Sequence, residues 1–154
     1  FGMLFFLVIL PAIFIFIGFF INNYLHVNLD RNIELAISVV SLVMGLAVML
    51  WTTFFQWRIG EGVPTPNAPT QHLIVTGPYK ICRNPIELGA IFYYLGIGTM
   101  IDGILTGVIC FLLGLVIGSA YHKIIEEQEL EKRFGDEYRE YKKKTPFLFP
   151  RLKL

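Results

Sequence analysis

Polar side chains that could take part in chemistry fall into two blocks of this 154-residue sequence. The first block contains Arg83, Asn84 and Glu87, and the second contains Lys123, Glu126 and Glu127. Guanidinium and ammonium groups neutralise anionic ligands, an amide orients a ligand by hydrogen bonding, and a partly buried carboxylate can serve as a base. The two blocks are therefore the candidates for a ligand-binding or catalytic site.

The first block follows an apolar stretch that runs from Gln71 to Tyr79 and ends around Gly77-Pro78. We expect this stretch to be extended and then to bend at the Gly-Pro step, where free backbone N–H and C=O groups can hold a planar polar ligand. Asn84-Pro85 also has a structural explanation, because Asn is a favoured N-cap and Pro is favoured at the first helical position. Glu87 then falls where a carboxylate can complete a capping box. Both interpretations stay open, and the nearby bend favours a functional one.

The second block lies in a charged segment near the C-terminus. Its apolar positions are Leu130, Phe134, Tyr138 and Tyr141. Their spacing predicts an amphipathic helix, in which Gly135 can end one helical segment and Asp136 can cap the next. A solvated face is expected for the other charged residues Glu129, Glu131, Lys132 and Arg139. Glu126 and Glu127 differ, because they come about one turn after an apolar run and can face the first block.

The composition limits the class of protein in which these side chains lie. Hydrophobic residues make up 55% of the chain and charged residues only 16%, with a mean hydropathy of +0.59. These values exclude a disordered chain and are unusual for a water-soluble globule. Cys82 and Cys110 are too few for a disulfide framework, and no Cys/His cluster has the spacing of a metal site.

Four apolar runs predict an all-α integral membrane protein formed as a single domain over residues 1–154. The predicted spans are residues 3–21, 33–55, 86–101 and 104–121. The last two are separated only by Asp102 and Gly103, which predicts a tight helical hairpin. Residues 56–85 then form a long loop, extended in its first half by Pro64, Pro66 and Pro69, and residues 122–154 form a helical tail.

The distribution of basic residues predicts the orientation of these spans. With both termini in the cytoplasm, the loop and the tail lie on the same side and carry all of the 13 Lys and Arg residues except Arg31. A cleavable signal peptide is the alternative for the first run, but the run lacks a basic flank and a small-residue cleavage site. The chain begins with Phe1 rather than Met, which is consistent with a missing N-terminal segment.

Small residues in the predicted hairpin indicate close helix packing. Gly96 and Gly98 lie in the third span, and Gly114 and Gly118 lie in the fourth. We expect them to pack the two hairpin helices against each other rather than to bind a cofactor, because no glycine pattern follows a soluble strand.

Taken together, the two blocks resemble the isoprenylcysteine carboxyl methyltransferase and phospholipid methyltransferase superfamily. The resemblance covers about residues 70–150 and rests on the run from His72 to Tyr79, on Arg83-Asn84-Pro85, and on a C-terminal block. That block contains Glu126, Glu127, Leu130, Phe134, Gly135, Tyr138 and Tyr141. Members of the superfamily are integral membrane enzymes that use S-adenosylmethionine.

The resemblance implies a cofactor site formed by the loop, the start of the third span and the tail. Its expected residues are Gln71, His72, Leu73, Ile74, Val75, Gly77, Tyr79, Asn84, Glu126 and Glu127. Asn84 would orient a ligand by hydrogen bonding, and Glu127 would hold a cofactor hydroxyl or ammonium group. Arg83 or Lys123 would neutralise a lipid phosphate or an acceptor carboxylate, and Glu87 is the candidate base.

The sequence departs from the prenylcysteine enzymes at two points. Asn84 replaces the His of their Arg-His-Pro step, and Glu87 replaces the aromatic residue that usually follows two places after the Pro. An anionic side chain at this position disfavours a carboxylate acceptor and suits a neutral or cationic one. The departures therefore bear on the acceptor and leave the expected cofactor unchanged.

The sequence thus predicts a methyltransferase that uses S-adenosylmethionine and a lipophilic acceptor, a lipid amine, a prenylcysteine-like carboxylate or a thiol. Its expected partners are membrane lipids and this acceptor, with no nucleic acid and no metal, and its expected location is the plasma membrane with the site facing the cytoplasm. The alternatives are an NADPH-dependent membrane reductase of the sterol or steroid type and a non-enzymatic scaffold.

Overall fold

The structure is a computed structural model that describes residues 4–25, 27, 29–61 and 70–150. Every regular element in these ranges is helical. A π-helical turn, Phe5–Ile9, leads into α1 (Leu10–Leu25), which is followed by α2 (Arg31–Arg58), a 3₁₀ turn (Gly77–Lys80), α3 (Pro85–Asp102) and α4 (Ile104–Tyr121). A second π-helical turn, His122–Glu126, joins α4 to α5 (Glu127–Lys144). The three prolines predicted to extend the loop lie outside the described residues.

Three helices in the described part of the chain are long and apolar enough to cross a membrane. They are Phe5–Leu25, Arg31–Arg58 and the helix that begins at Ile104 and continues to Lys144. The third predicted span, residues 86–101, corresponds to α3, which has 18 residues, a length of about 27 Å. It is not among the three, because Glu87, Asp102 and two tyrosines lower its hydropathy. The all-helical prediction is therefore confirmed, and the structure supports three of the four predicted spans.

The residues divide into two compact units, each made of two stretches of chain. Unit 1 comprises residues 1–47 and 89–116, and unit 2 comprises residues 48–88 and 117–154. Helices α2, α3 and α4 each contribute residues to both units. All the candidate site residues fall in unit 2.

In unit 1, close packing of helices depends on residues without large side chains. A Cβ atom at Gly98 would lie 2.9 Å from both Gly107 Cα and Cys110 Sγ, so α3 and α4 approach closely there, as predicted for the hairpin. Gly96 packs against α2 instead, where its carbonyl accepts a hydrogen bond of 2.8 Å from Ser38 Oγ. The prediction that Gly96 serves packing within the hairpin was therefore wrong, because this residue faces a different helix.

The hairpin turn is tight, as predicted, but it is the single residue Gly103, because Asp102 belongs to α3. Gly103 has a φ of +93°, a conformation in which a side chain would be strained, and its own N–H donates to the Thr99 carbonyl. The buried Glu34 carboxylate accepts a 3.0 Å hydrogen bond from the Ile104 N–H at the first position of α4. A carboxylate at a helix N-terminus satisfies a free N–H group and interacts favourably with the helix dipole.

Unit 2 contains the end of α2, the 3₁₀ turn, the start of α3, the end of α4 and all of α5. Gly135 has a φ of +54° and kinks α5, as expected from its place before Asp136. The predicted amphipathic stripe is also present, since Tyr138 is 1% exposed and Tyr141 is 8% exposed. Residues 145–147, which we call the strap, follow α5 in non-helical conformation.

Candidate active site

Arg83 and Glu127 form a buried ion pair that joins the two sequence blocks. Arg83 Nε and Nη2 donate to Glu127 Oε1 at 2.9 and 2.6 Å, and the two side chains are only 10% and 7% exposed. Glu127 Oε2 lies 3.1 Å from Lys142 Nζ, so both carboxylate oxygens have cationic partners. Glu127 therefore faces the first block, as predicted, and both groups are engaged within the protein.

The strap is held against the first block by hydrogen bonds to its carbonyl groups. The N–H groups of Arg83 and Asn84 donate to Pro146 and Phe147 at 2.9 and 3.2 Å. The Asn84 side-chain amide also donates to Phe147 at 3.2 Å, and Arg83 Nη1 donates to the Thr145 carbonyl and to that of Lys142, each at 2.9 Å. The N–H groups that precede α3 thus bind the end of the chain.

Gln56 and Tyr79 form a second buried polar contact in this unit. Gln56 Nε2 donates to the Tyr79 hydroxyl at 2.7 Å, and the Tyr79 carbonyl accepts a 2.6 Å hydrogen bond from Tyr141. Burial raises the pKa of the Tyr79 phenol, and the nearby Glu126 carboxylate raises it further. Tyr79 is therefore a neutral hydroxyl. Gln56 Oε1 is buried and has no hydrogen-bond partner among the described residues.

The bend that positions Tyr79 requires a glycine. Gly77 has a φ of +60°, and a Cβ atom there would overlap the ring of Phe55. The Gly-Pro step therefore turns sharply against the end of α2, and the chain enters the 3₁₀ turn immediately afterwards. This agrees with the bend predicted from the sequence.

A cleft open to solvent lies among these side chains. It is lined by Gln56, Thr70, Leu73, Ile74, Tyr79, Arg83, Glu126, Leu130, Tyr138 and Tyr141. Three of the lining residues are aliphatic, three are tyrosines, and the others carry polar groups. This combination of apolar walls and a few converging polar groups is typical of small-molecule sites.

Beside the cleft, His122 lies between two carboxylates. Its Nδ1 contacts Glu126, which lines the cleft, and its Nε2 lies 3.5 Å from Glu87 Oε2. Burial alone lowers the pKa of His122, but hydrogen bonds and charge interactions with Glu126 and Glu87 outweigh it and raise the pKa to about 9. The imidazole is therefore protonated at neutral pH. Glu87 Oε1 is buried and has no hydrogen-bond partner among the described residues.

The structure brings together some of the predicted cofactor residues and not others. Leu73, Ile74, Tyr79, Arg83 and Glu126 line the cleft, and Asn84 and Glu127 are connected to it through Arg83 and the strap. Other predicted residues point elsewhere.

Four residues of the predicted loop, Gln71, His72, Val75 and Gly77, do not line the cleft. Gln71 is exposed and donates its N–H to the Gly60 carbonyl, and His72 is exposed and lies 3.8 Å from Glu61. Val75 is 42% exposed. Of this predicted loop, only Leu73, Ile74 and Tyr79 therefore line the cleft.

The two remaining predicted catalytic residues also differ in their surroundings. Lys123 Nζ lies 4.9 Å from the centre of the Phe147 ring, a cation–π contact, and its side chain is exposed. Glu87 is 7% exposed and its carboxylate lies over Gly118, where a Cβ atom would overlap it. Gly118 thus provides space for Glu87, a role that the predicted hairpin packing did not include.

Several residues that the sequence did not identify as site residues are part of this arrangement. Gln56, Thr70, Leu130, Tyr138 and Tyr141 line the cleft, and His122 lies beside it. Gln56 could have been identified because it is the one amide among the aromatic residues at the end of the second span. His122 was marked by its position between an apolar helix and Glu126, one helical turn later.

A covalent nucleophile is not evident among the described residues of this unit. Burial raises the pKa of the Cys82 thiol to about 11, and Cys82 is fully buried. A thiol in this state is a poor nucleophile. In the described ranges, no group of three or more His, Cys, Asp or Glu residues could hold a metal ion. The side chains at the cleft are suited to binding and orienting reactants.

A family model described as phospholipid methyltransferase matches residues 33–137, more than two thirds of the chain. The chain belongs to the phospholipid methyltransferase family. The match to this family of membrane methyltransferases includes Gln56, Arg83, Glu87, His122 and Glu127. It ends before Tyr138 and the strap.

Curated relatives share the same central part of the chain. A nickel-cobalt-cadmium resistance protein of Alcaligenes xylosoxydans xylosoxydans is 34% identical over 83 residues, which cover 53% of this chain and 38% of the relative. The protein-S-isoprenylcysteine O-methyltransferase of Mus musculus is 29% identical over 93 residues, covering 59% and 32%. Methanethiol S-methyltransferase 1 of Bradyrhizobium diazoefficiens is 36% identical over 72 residues, covering 47% and 24%.

The aligned regions therefore cover between about a quarter and two fifths of these relatives. No solved structure gives a significant match. Two of the relatives are methyltransferases by name, which agrees with the family to which this phospholipid methyltransferase domain belongs.

Proposed function

We propose that this protein transfers a methyl group from S-adenosylmethionine to a lipophilic or membrane-associated acceptor. The acceptor classes considered are a lipid amine, a prenylcysteine-like carboxylate and a thiol. Family membership supports methyl transfer, and two relatives are named as an isoprenylcysteine O-methyltransferase and a methanethiol S-methyltransferase. The concentration of Lys and Arg in the loop and tail supports a cytoplasmic site at the plasma membrane.

The observation that carries the cofactor assignment is the buried Gln56 Oε1, which has no partner among the described residues and lies at the cleft. A buried carbonyl oxygen without a donor is unfavourable by about 1–3 kcal/mol, so such groups are rare unless a ligand or water completes them. S-adenosylmethionine carries amino groups and hydroxyls that can donate to it. The residues present therefore fit this cofactor.

Other residues of the cleft would hold the remaining parts of the same molecule. Leu73, Ile74 and Leu130 provide an apolar wall for a purine ring, and Glu126 can accept hydrogen bonds from hydroxyl or ammonium groups. When bound, S-adenosylmethionine supplies an electrophilic methyl group on a sulfonium. The protein contributes mainly by aligning the two reactants and by limiting water, and it needs no covalent nucleophile.

Within this proposal, Arg83 and Glu127 are positioning residues. Their donors and acceptors are already engaged with each other, with Lys142 and with the strap. They hold one wall of the cleft and the end of the chain in a fixed relation. This differs from the sequence-based expectation that Arg83 neutralises a ligand and that Glu127 binds the cofactor directly.

Calorimetric binding of S-adenosylhomocysteine to the detergent-purified chain tests the cofactor assignment. We expect saturable binding, and we expect Gln56→Leu to weaken it about tenfold, because a buried hydrogen bond of roughly 1.4 kcal/mol is lost. Glu140→Gln is the matched control, since Glu140 is exposed and forms an ion pair with the exposed Lys143. Binding of NADPH with no binding of S-adenosylhomocysteine would favour a reductase, and binding of neither would favour a scaffold.

A further inference from the structure

Exposed apolar side chains lie beside a lysine just after the end of α4. Tyr121 is the last residue of α4, and the π-helical turn His122–Glu126 follows it. Within this turn Lys123 is exposed, and Ile124 and Ile125 are 63% and 52% exposed. An ammonium group beside exposed aliphatic side chains, directly after an apolar helix, is typical of the boundary between lipid tails and lipid head groups.

The chain after α5 brings aromatic residues to the same lysine. The Phe147 ring contacts Lys123 Nζ, and the Phe147 carbonyl accepts hydrogen bonds from the N–H and the side-chain amide of Asn84. The next residue, Leu148, is only 3% exposed, whereas Phe149 is 52% exposed. Because Phe147 and Leu148 are held in place, Phe149 faces the surroundings of unit 2 rather than its interior.

The acidic residues about one helical turn after Lys123 are engaged with other cations. Glu126 contacts His122, and both carboxylate oxygens of Glu127 have cationic partners of their own. Lys123 forms no ion pair with a residue in the part of the chain that the structure describes. Its positive charge is therefore available to an anion outside the protein.

Further lysines make the end of α5 positively charged. Residues 141–150 contain Lys142, Lys143 and Lys144 and no Asp or Glu. The first two pair with carboxylates of α5, whereas Lys144 is exposed and forms no ion pair with a described residue. Lys144 directly precedes the strap, which leads to Phe149. Positive charge and an exposed aromatic ring thus occur together in this segment.

We propose that Lys123, Ile124, Ile125, Lys144 and Phe149 form a docking surface for anionic phospholipid, which we call the lipid patch. The three apolar side chains enter the boundary of the lipid tails, and the two lysines bind phosphate groups beside it. None of the five residues lines the cleft. The bound lipid is therefore distinct from the methyl acceptor and is not consumed.

The position of the lipid patch favours a lipid over an acidic protein as its partner. The helix that begins at Ile104 and continues to Lys144 is apolar enough to cross a membrane, and its apolar part ends at Tyr121. The following turn therefore lies at the membrane boundary. Anionic phospholipid supplies both the apolar contact and the negative charge there, and each Lys near an anionic leaflet strengthens binding about fivefold.

Thermal unfolding of the full chain in neutral detergent micelles tests the proposal. The micelles contain increasing mole fractions of phosphatidylglycerol or of phosphatidylcholine, and circular dichroism follows unfolding. We expect phosphatidylglycerol to raise the unfolding midpoint saturably, with half-saturation at a mole fraction about tenfold or more below that of phosphatidylcholine. Inorganic phosphate at the same phosphate concentration should leave the midpoint unchanged, because it offers no apolar contact.

Variants of exposed residues locate the binding. Lys123→Gln and Lys144→Gln should each raise the half-saturating fraction of phosphatidylglycerol about fivefold. Phe149→Ser should raise the half-saturating fraction of both lipids roughly threefold to tenfold, since it removes an apolar contact that both lipids make. Lys132→Gln is the matched control, because Lys132 is an exposed lysine of α5 outside the lipid patch, and it should change neither lipid.

Three outcomes would overturn the inference. Half-saturation at the same fraction of both lipids would mean that the charge of the lipid does not matter. A shift of equal size with inorganic phosphate would mean that the lysines bind a free anion. An equal loss in Lys132→Gln and Lys123→Gln would mean that any surface lysine attracts the lipid. The comparison of the two lipids uses the wild-type chain, and none of these measurements depends on methyl transfer.

Discussion

The ion pair between Arg83 and Glu127 offers the clearest test of how unit 2 is held together. The perturbations are Arg83→Met, Glu127→Leu and the double variant. Glu127→Leu leaves the buried Arg83 guanidinium without its carboxylate, and Arg83→Met leaves the buried Glu127 carboxylate with Lys142 but without Arg83; both side chains are at most 10% exposed. The double variant removes both charges and leaves apolar side chains in their place.

The expected magnitude follows from burial and from the number of hydrogen bonds. Removing one partner of a buried ion pair costs about 3–5 kcal/mol. For a chain of this size each kcal/mol lowers the unfolding midpoint by roughly 2–4 °C, so each single variant should lose roughly 6–20 °C. The double variant should lose less than the sum of the two, by about 0.5–3 kcal/mol, since neither charge remains unpaired.

The two free cysteines provide the assay. Cys82 and Cys110 are both fully buried, so a fluorogenic maleimide reacts with them only when the protein opens. Cys82 also precedes Arg83 directly, and it therefore reports on the region that the pair stabilises. Heating the detergent-purified variants with this reagent gives the unfolding midpoint.

Glu140→Gln is the control, because Glu140 and its partner Lys143 are 57% and 71% exposed and such pairs contribute little. The reasoning fails if either single variant shifts the midpoint no more than this control. It also fails if the double variant shows the full sum of the two losses, since that result would mean that the charges are not coupled.

Two further predictions use the same assay. The pKa of His122 is raised from 6.5 to about 9 in the folded protein, because two carboxylates outweigh the effect of its burial. The contribution of His122 to stability is therefore complete below about pH 6.5 and lost as the pH rises through about 9. The unfolding midpoint should fall more steeply between pH 7 and 10 in wild type than in His122→Gln. Equal pH dependence of the unfolding midpoint in the two proteins would contradict this. Gly98→Leu should destabilise unit 1 by about 1–3 kcal/mol, because a Cβ atom there lies 2.9 Å from Gly107. Val116→Leu, at a position 66% exposed, is its control, and equal midpoints would show that α3 and α4 do not need the small residue.

The bounds of the helices could be predicted because their signals are local. The start of α3 follows from Asn84-Pro85, its end follows from Gly103, and the span of residues 104–121 matches α4. The second span was predicted as 33–55, and α2 is longer at both ends (Arg31–Arg58), since polar and aromatic residues continue a helix beyond its apolar core. Hydropathy marks the apolar core of a helix more clearly than its ends.

The partners of the site residues could not be predicted because they depend on distant parts of the chain. Arg83 binds carbonyls of Lys142 and Thr145, about sixty positions later, and no pattern around Arg83 indicates these contacts. The two blocks were expected to bind a ligand directly. Instead, Arg83 and Glu127 bind each other, and among the described residues of unit 2 the unpartnered buried side-chain oxygen atoms belong to Gln56 and Glu87.

His72 shows why a sequence block does not identify every ligand-binding residue in it. In an extended chain, alternate side chains point to opposite sides, which agrees with a buried Ile74 next to an exposed Val75. His72 does not follow this alternation, because it is exposed although it lies two residues from Ile74. Hydropathy favours Val75 as a buried residue, and the structure exposes it. The direction in which each side chain points is set by the bend at Gly77 and by the packing of the loop, which the local sequence does not specify.

Transfer of a labelled methyl group tests the central claim most directly. The full chain, purified in detergent and supplemented with a membrane lipid extract, is incubated with S-adenosylmethionine labelled in its methyl group, and the lipid and aqueous fractions are then separated and counted. We predict label in the lipid fraction that depends on the protein and is unchanged in Glu140→Gln. Label that stays in the aqueous phase, although S-adenosylhomocysteine binds to the protein, would contradict a lipophilic acceptor.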